Sequence, residues 1–304
     1  MKKLLCLIVC LSLCAAPALA AAFTDSAGRQ VEIDAPSRVV TLFGSYGELW
    51  QLAGGTLVAT TQDILARNPD MDLQNVGSYT EPSMETVFAL EPDFVILSSG
   101  TPSHFAIAQT LEAAGIPCAF FEVLTWRDYM DAMKVMTDIT GRADCYEAQV
   151  EAVQRPIESM IAEAQALQRE DGQTALLLRA SSTKVHAKGS EETVAGAILK
   201  DLGLVNLADG QSALSENLSM EAILIADPDW IFVTTMGLDG EAAQATLQAT
   251  LMDNPAWSTL SAVREGRYAL LDPMLFHYRP NARWAEAYRV ILDLLEGADG
   301  DAAK

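Results

Sequence analysis

The sequence has 304 residues, 50% of them hydrophobic, with 20 basic against 41 acidic side chains and a formal net charge of −21. This length fits two domains of roughly 150 residues, and the composition excludes a disordered chain. Because binding to nucleic acid or anionic lipid depends on Lys and Arg, so acidic a chain is expected to bind neither.

The first 20 residues are typical of an export signal. Two lysines precede an apolar run over residues 4–16, and Ala18 and Ala20 supply the small side chains that cleavage requires. The run is too short for a permanent membrane span. A lipoprotein signal acylated at Cys14 is the alternative, which the bulky residue before this cysteine disfavours. We expect residues 1–20 to be removed and the mature chain to lie outside the cytoplasmic membrane, soluble rather than lipid-anchored.

Strands and helices alternate in the first half of the chain. Apolar runs predict strands at residues 38–43, 94–97 and 118–121. Between them, helices are expected to end near Gly54 and just before Gly115, because glycine favours the end of a helix. This alternation is typical of an α/β arrangement.

A long helix is predicted over residues 143–170. Apolar residues recur there at helical spacing, and Pro156 predicts a kink or a restart. We expect this segment to be a single spine helix that joins an N-terminal lobe over residues 21–142 to a C-terminal lobe over residues 171–304. A helical connection limits how far two lobes can close on each other.

The second half repeats the alternation. Strands are predicted at residues 174–178, 230–233 and 268–271, with a helix at 191–202. The predicted fold class is therefore α/β, with two Rossmann-like lobes of parallel strands and a ligand cleft between them.

Two cysteines follow the predicted signal. Cys118 falls in a predicted strand and Cys145 in the predicted spine. We expect both to be buried apolar side chains, although the sequence leaves open whether they form a disulfide.

The strongest internal pattern is a repeat with an offset of 136 residues. Residues 83–96 read SMETVFALEPDFVI and residues 219–232 read SMEAILIADPDWIF. In each copy a serine N-cap predicts a short helix, and the acid-Pro-Asp turn ends it because proline disfavours helical backbone before it. The apolar strand that follows indicates a parallel sheet covered on both faces.

Further motifs occur in a characteristic order around this repeat. They are DSAGRQV at 25–31, PSRVV at 36–40, GIP at 115–117, NPAW at 254–257 and AVREGRY at 262–268. With these motifs the mature chain resembles the substrate-binding proteins of ABC importers, in the helical-backbone group that delivers ferric siderophores, haem and cobalamin. The resemblance implies a monomer that captures an iron complex, a ferric siderophore first, and delivers it to a membrane permease with its ATPase. It implies neither catalytic residues nor a resident cofactor or metal.

The resemblance also implies that one acidic residue on each lobe docks into an arginine pocket of the permease. The candidates are Glu85 and Glu221, the glutamate that both copies of the repeat share. The alternative is that each stabilises the dipole of its own helix by about 0.3–1 kcal/mol and needs no partner.

The ligand is expected in loops at the carboxyl ends of the strands of both lobes. These loops, which also hold Arg127, contain aromatic side chains that can stack and cations that can bind carboxylate or catecholate oxygens. They suit a large, partly anionic ligand. The candidate ligand-binding residues are Tyr46, Tyr79, His104, Arg179, Lys184, Lys188, Met236, His277, Tyr278 and Arg279.

Other ligands and one other class of protein stay open. Cobalamin is one alternative, and haem held by His277 or Tyr278, with Met236 opposite, is another. His104, His186 and His277 could gather on zinc or manganese, but the histidine-rich acidic loop of that branch is absent. A two-lobed hydrolase is least favoured, because the sequence has no nucleophile elbow, HExxH motif or phosphate-binding glycine loop.

Overall fold

The computed structural model describes residues 20–166, 173–237 and 240–302, with side chains described as far as residue 297. The predicted export signal lies almost entirely outside these ranges, as do the last residues of the predicted spine. Within the described ranges, no helix combines the length and the apolar composition needed to cross a membrane.

The first half of the chain forms a hairpin and a sheet with helices in its crossovers. Its strands are β1 (Ala21–Thr24), β2 (Gln30–Ile33), β3 (Val39–Thr41), β4 (Leu57–Thr60), β5 (Gln74–Asn75), β6 (Phe94–Ser98) and β7 (Cys118–Phe121). Its helices are α1 (Gly44–Leu52), α2 (Gln62–Arg67), α3 (Met84–Ala89), α4 (Ser103–Ala113) and α5 (Trp126–Thr140).

The first sheet is parallel throughout. Its strand order is β5-β4-β3-β6-β7, while β1 and β2 pair antiparallel as a separate hairpin. β3, β6 and β7 are buried along their whole length, which suits their continuous apolar sequences. Because the strands are parallel, the loops that follow β3, β6 and β7 leave the sheet at the same edge.

A helix with one widened turn connects the two halves. It consists of α6 (Ala143–Gln149), a π-helical turn (Val150–Gln154) and α7 (Arg155–Ala166). The π turn ends two residues before Pro156, which cannot donate a backbone hydrogen bond and whose ring crowds the preceding turn. The chain therefore accommodates the proline by widening the helix there.

The second half forms another parallel sheet. Its strands are β8 (Thr174–Ala180), β9 (Val185–Ala187), β10 (Val205–Asn206), β11 (Trp230–Thr235) and β12 (Tyr268–Leu271). Its helices are α8 (Val194–Asp201), α9 (Ser212–Ser215), α10 (Met220–Ala226), α11 (Gly240–Leu247), α12 (Ser261–Arg264), α13 (Pro273–Phe276) and α14 (Trp284–Ala302), with a π-helical turn (Gln248–Met252) and 3-10 turns at Leu207–Asp209, Pro255–Thr259 and Asn281–Arg283. The order β10-β8-β11-β12 is parallel, and β9 adds antiparallel to β8. The predicted α/β class with parallel sheets is confirmed.

The connecting helix has a neighbour that the sequence did not predict. The C-terminal helix α14 packs against α7, where Arg289 forms an ion pair with Glu163 at 3.3 Å. The prediction of a single spine helix is therefore incomplete, since two helices run side by side here.

The internal repeat is a repeat of local structure as well. Ser83 and Ser219 each accept a hydrogen bond from the backbone N–H three residues later, at 3.3 and 3.2 Å. Glu91 and Asp227, which directly precede the two prolines, have positive φ angles of 47° and 36°. Each helix thus ends in a sharp turn, after which β6 or β11 begins.

The largest apolar cluster contains residues from both halves and from the connection. Trp50 and Trp230 are 1% and 2% exposed and belong to it with Val153, Ile157 and Trp284. Two further clusters cover the opposite faces of the two sheets. Each sheet is therefore buried on both faces.

The two cysteines are free thiols. Cys118 is buried in β7, as predicted, whereas Cys145 is only half-buried on α6. Burial raises the pKa of the Cys118 thiol, and the Arg29 guanidinium beside it acts in the opposite direction.

Candidate functional site

A cavity of about 490 Å³ lies where the carboxyl ends of the two sheets face each other. Loops after β3, β6 and β7 form its first side, with Phe43, Gly100 and Glu122 among the lining residues. Arg179 near the end of β8, Met236 after β11 and residues 277–279 line the other side. We call this cavity the cleft. Its volume lies in the range of small-molecule binding sites.

Arg279 connects the two sides of the cleft. Its Nε donates to the carbonyl oxygen of Val123 at 2.9 Å, and its Nη2 donates to Glu122 Oε1 at 3.1 Å. The guanidinium carbon also lies 5.2 Å from the centre of the Phe43 ring. Much of the hydrogen-bonding capacity of Arg279 is thus used by the protein itself.

Arg179 has no such partner. Its Nε is buried without a hydrogen bond, and within the described residues its guanidinium forms no ion pair. Burial lowers the pKa of Arg179, the charge of Arg279 lowers it further, and Glu192 opposes both. Arginine nevertheless stays charged at any physiological pH, so Arg179 is the least compensated cation of the cleft.

His277 is held neutral beside these cations. Burial, followed by the charges of Arg179, Arg279 and Arg67, lowers its pKa to about 3. Its Nδ1 is buried without a partner. Tyr278 follows it, and the Arg67 guanidinium carbon lies 4.0 Å from the centre of that ring.

Six of the ten predicted ligand-binding residues lie together in the cleft. Tyr79 and Met236 are 40% and 37% exposed. The six residues are Tyr79, Arg179, Met236, His277, Tyr278 and Arg279.

The prediction that His104 and Tyr46 line the ligand site is wrong. His104 is fully buried: its Nδ1 accepts from the backbone N–H of Ser98 at 2.9 Å, and its Nε2 lies 2.7 Å from the carbonyl oxygen of Tyr79. Burial lowers the pKa of His104, so the neutral ring bridges the end of β6 and the loop that contains Tyr79. Tyr46 is also fully buried, and its hydroxyl accepts from the N–H of Val123 at 3.1 Å. Both support the cleft from behind and do not line it.

The other basic residues that the sequence placed near the ligand also lie outside the cleft lining. Lys184 is exposed in the turn before β9, and His186 is exposed on β9 itself. Lys188 forms an ion pair with Glu192 at 2.8 Å. Arg127, at the start of α5, pairs with Asp201 at 3.1 Å. Sequence order placed them in loops near the strand ends but could not show which way each loop turns.

Carboxylates of the cleft were missed. Asp63, Glu122 and Glu192 all line it. Glu122 directly follows a predicted strand, which is the signal that could have identified it.

Residues 39–275 match the family model described as Periplasmic binding protein. The chain belongs to this family. The Fe(3+)-citrate-binding protein YfmC of Bacillus subtilis (strain 168) is 24% identical over 256 residues, which cover 80% of this chain and 75% of that protein. Among solved structures, the periplasmic catecholate-siderophore binding protein VctP from Vibrio cholerae has a TM-score of 0.70 at 17% identity, over 91% and 99% of the two chains. A periplasmic heme binding protein from Pseudomonas aeruginosa has a TM-score of 0.63 at 26% identity, over 79% and 86%.

This periplasmic binding protein shows no cluster for a bare metal ion in the part of the chain that the structure describes. No three His, Cys, Asp or Glu side chains gather there as metal ligands. His104 is buried in the first half, His186 is exposed on β9, and His277 lines the cleft, so the three do not form one site.

The shared glutamates of the repeat lie on the surface of this periplasmic binding protein. Glu85 is exposed in the first turn of α3 and Glu221 is exposed in the first turn of α10. Each stands just after a serine N-cap, where a negative charge also favours the helix dipole.

Proposed function

We propose that this protein is the exported substrate-binding component of an ABC importer and carries a ferric chelate, a ferric siderophore first, in the cleft. The observation that carries the proposal is the Arg179 guanidinium, which lines a 490 Å³ cavity between the halves and has a buried Nε without a partner. A buried donor without a partner is costly, and an oxygen-rich ligand satisfies it. The Fe(3+)-citrate binding named for the 24%-identical relative supports the same class of ligand.

The cleft offers binding chemistry for such a chelate. Arg179 donates charge-assisted hydrogen bonds to ligand oxygens, while the exposed ring of Tyr79 and the thioether of Met236 supply apolar contacts. The cargo leaves the protein chemically unchanged, so the protein acts as a receptor and not as an enzyme.

Haem is the second candidate, and one observation favours it. His277 lines the cleft with its pKa lowered to about 3, so its imidazole is neutral, which is the form that can ligate iron. The 26%-identical structure of a periplasmic heme binding protein supports this candidate.

The proposed transport cycle uses the two halves of the chain and the helix between them. Residues 21–142 and 171–304 act as two lobes that close slightly on the cargo, because the connecting helix and α14 restrict larger motion. The loaded receptor then docks on a permease through Glu85 and Glu221, and the associated ATPase drives release. Residues 1–20 direct export and are then removed. The mass of the protein recovered from its native compartment tests this removal.

A titration tests the proposed ligand. The purified protein is titrated with ferric siderophores and with haem, and tryptophan fluorescence and the visible spectrum are followed. Stoichiometric saturation by a ferric siderophore, with the chelate recovered unchanged, is the expected result. Saturation by haem alone, with a strong Soret band, replaces the siderophore by haem, and chemical conversion of the ligand contradicts a receptor.

A further inference from the structure

The cations of the cleft are largely compensated by carboxylates of the protein. Three carboxylates line the cleft, and each forms an ion pair with a basic side chain. The pairs are Arg279–Glu122 at 3.1 Å, Arg67–Asp63 at 3.4 Å and Lys188–Glu192 at 2.8 Å. Each ligand charge that approaches one of these cations therefore also approaches a carboxylate.

One positive charge is left over. Arg179 and the three basic partners carry four positive charges against three carboxylates, so this group of seven side chains has a formal charge of +1, although Arg67 and Lys188 do not line the cleft themselves. His277 adds no charge because its imidazole is neutral. Glu48 lies near Arg67 but lines a separate cavity. When its carboxyl is ionised, it makes the net charge around the cleft less positive still. The cleft is thus much less cationic than its arginines alone suggest.

The local structure provides space for the acidic side chains. Glu122 Oε2 accepts from the Ser99 hydroxyl at 3.2 Å, and a Cβ at Gly100 would lie only 2.6 Å from the same oxygen. A Cβ at Gly189 would lie 3.1 Å from Glu192 Oε1. The Lys188 hydrogen bond is the main cause that lowers the pKa of Glu192, which is therefore ionised at neutral pH. Glycine at both places thus leaves room beside one of these carboxylates.

We infer that Glu122 and Glu192 are specificity residues that restrict the cargo to ferric chelates of low net charge, zero or −1, and exclude trianionic ones. This inference rests on the proposed function, because it names the charge class of the same cargo. A monoanion is matched by the free charge of Arg179. Two further negative charges meet no other unpaired cation among the described residues that line the cleft, and are repelled by the carboxylates.

The common iron-binding groups differ in charge in a way that makes this selection testable. Three monoanionic hydroxamates around Fe³⁺ give a neutral complex, whereas three dianionic catecholates give a charge of −3. Both complexes are hexadentate and of similar bulk. A cleft with one uncompensated cation therefore separates them by charge and not by size.

The experiment measures the affinity of both chelates by fluorescence titration of the full chain at fixed ionic strength. The wild-type protein should bind the ferric tris-hydroxamate at least roughly tenfold more tightly than the ferric tris-catecholate. E122Q keeps an acceptor for Arg279 but loses the charge, and should shift the ratio of the two affinities roughly tenfold toward the tris-catecholate. E192Q, on the other side of the cleft, should act in the same direction.

The matched control is E216Q, which removes the same charge from an exposed position that lines none of the cavities described. It should leave both affinities as in the wild-type protein. Equal binding of the two chelates by the wild-type protein, or equal shifts in E122Q and E216Q, would overturn the charge selection alone. Binding of neither chelate would overturn the proposed siderophore cargo and the selection with it.

Discussion

Asp93 and Asp229, 136 residues apart, each accept two hydrogen bonds from one residue at the start of a neighbouring strand. The Asp93 carboxylate accepts from the N–H and the hydroxyl of Ser37 at 2.8 and 2.9 Å, just before β3. The Asp229 carboxylate accepts from the N–H and the hydroxyl of Thr174 at 2.8 and 2.7 Å, at the first residue of β8. Each repeat thus joins its own strand, β6 or β11, to the strand paired with it in the sheet, β3 or β8.

D93N should therefore destabilise the protein. Asp93 also accepts from the N–H of Arg38 at 2.8 Å, and an amide replaces one of its two acceptor oxygens by a donor. We expect a loss of about 1–2 kcal/mol in the free energy of unfolding, measured by urea denaturation at pH 7. D70N changes an exposed carboxylate and should stay within about 0.5 kcal/mol of the wild-type protein.

The same variant should show a defined pH dependence. Burial alone would raise the pKa of Asp93. The hydrogen bonds from Ser37 and Arg38 outweigh burial and lower this pKa below its unfolded value of about 3.9. The stabilisation is therefore present above about pH 4 and lost as the pH falls through the folded pKa. The difference between the wild-type protein and D93N should shrink in that range, and a constant difference would contradict the role of the charge.

R179A should weaken ligand binding without destabilising the free protein. The guanidinium has a buried Nε without a partner and forms no ion pair within the described residues, so its loss removes no hydrogen bond or ion pair from the described fold. Loss of a charged hydrogen bond to the ligand should cost about 1–3 kcal/mol of binding free energy, measured by titration with the ferric chelate that binds. Affinity within about twofold of the wild-type protein would remove Arg179 from the site.

Two further variants serve as controls for R179A. K184A changes an exposed lysine outside the cleft lining and should bind as the wild-type protein does. R279A should lose both stability and affinity, because Arg279 holds Val123 and Glu122 as well as lining the cleft. A distinct pattern for the two arginines therefore separates ligand binding from support of the fold.

His277 should make the protein sensitive to mild acid. In the unfolded chain a histidine takes up its proton near pH 6.5, whereas in the folded protein the pKa of His277 is lowered to about 3. Stability should therefore fall as the pH decreases from about 6.5 toward 3, by up to about 1.4 kcal/mol per pH unit for this group. H277Q should flatten the slope measured by urea unfolding between pH 7 and 5, while H186Q, at an exposed position, should keep it. Equal slopes in all three proteins would contradict a neutral buried His277.

The sequence predicted the elements whose signal is local. β7 and β12 were predicted to the residue, because each is a short apolar run that neighbouring turns delimit. β5 and β10 have two residues each, too few to show any periodicity. The helix predicted from residue 191 begins only at Val194, because Thr193 acts as its N-cap and accepts from the N–H of Gly196 at 2.9 Å.

The sequence predicted which types of residue occur in the site, but not which partners each of them contacts. Arg179 and Arg279 were identified because arginine in a loop or at a strand end indicates an anion site. The bond between Arg279 and Glu122 joins residues 157 positions apart, which no local pattern reveals. His104 is of a residue type that often binds ligands, but its two backbone partners, at the end of β6 and in the loop that contains Tyr79, make it a support of the fold.

The double variant E85A/E221A should abolish uptake and leave ligand affinity within about twofold. Both carboxylates are exposed, and neither lines the cleft. Changes at distant sites without shared partners have independent effects on binding free energy. Uptake of the labelled chelate by cells that carry the permease, compared with binding by the purified variant, measures both.

The control separates docking from the helix dipole. Ser83 and Ser219 keep capping α3 and α10, so loss of each glutamate should cost only about 0.3–1 kcal/mol of stability. D70A/E216A removes the same total charge at exposed positions elsewhere and should transport normally. Normal uptake by E85A/E221A would show that these glutamates serve their own helices and that the permease reads another surface.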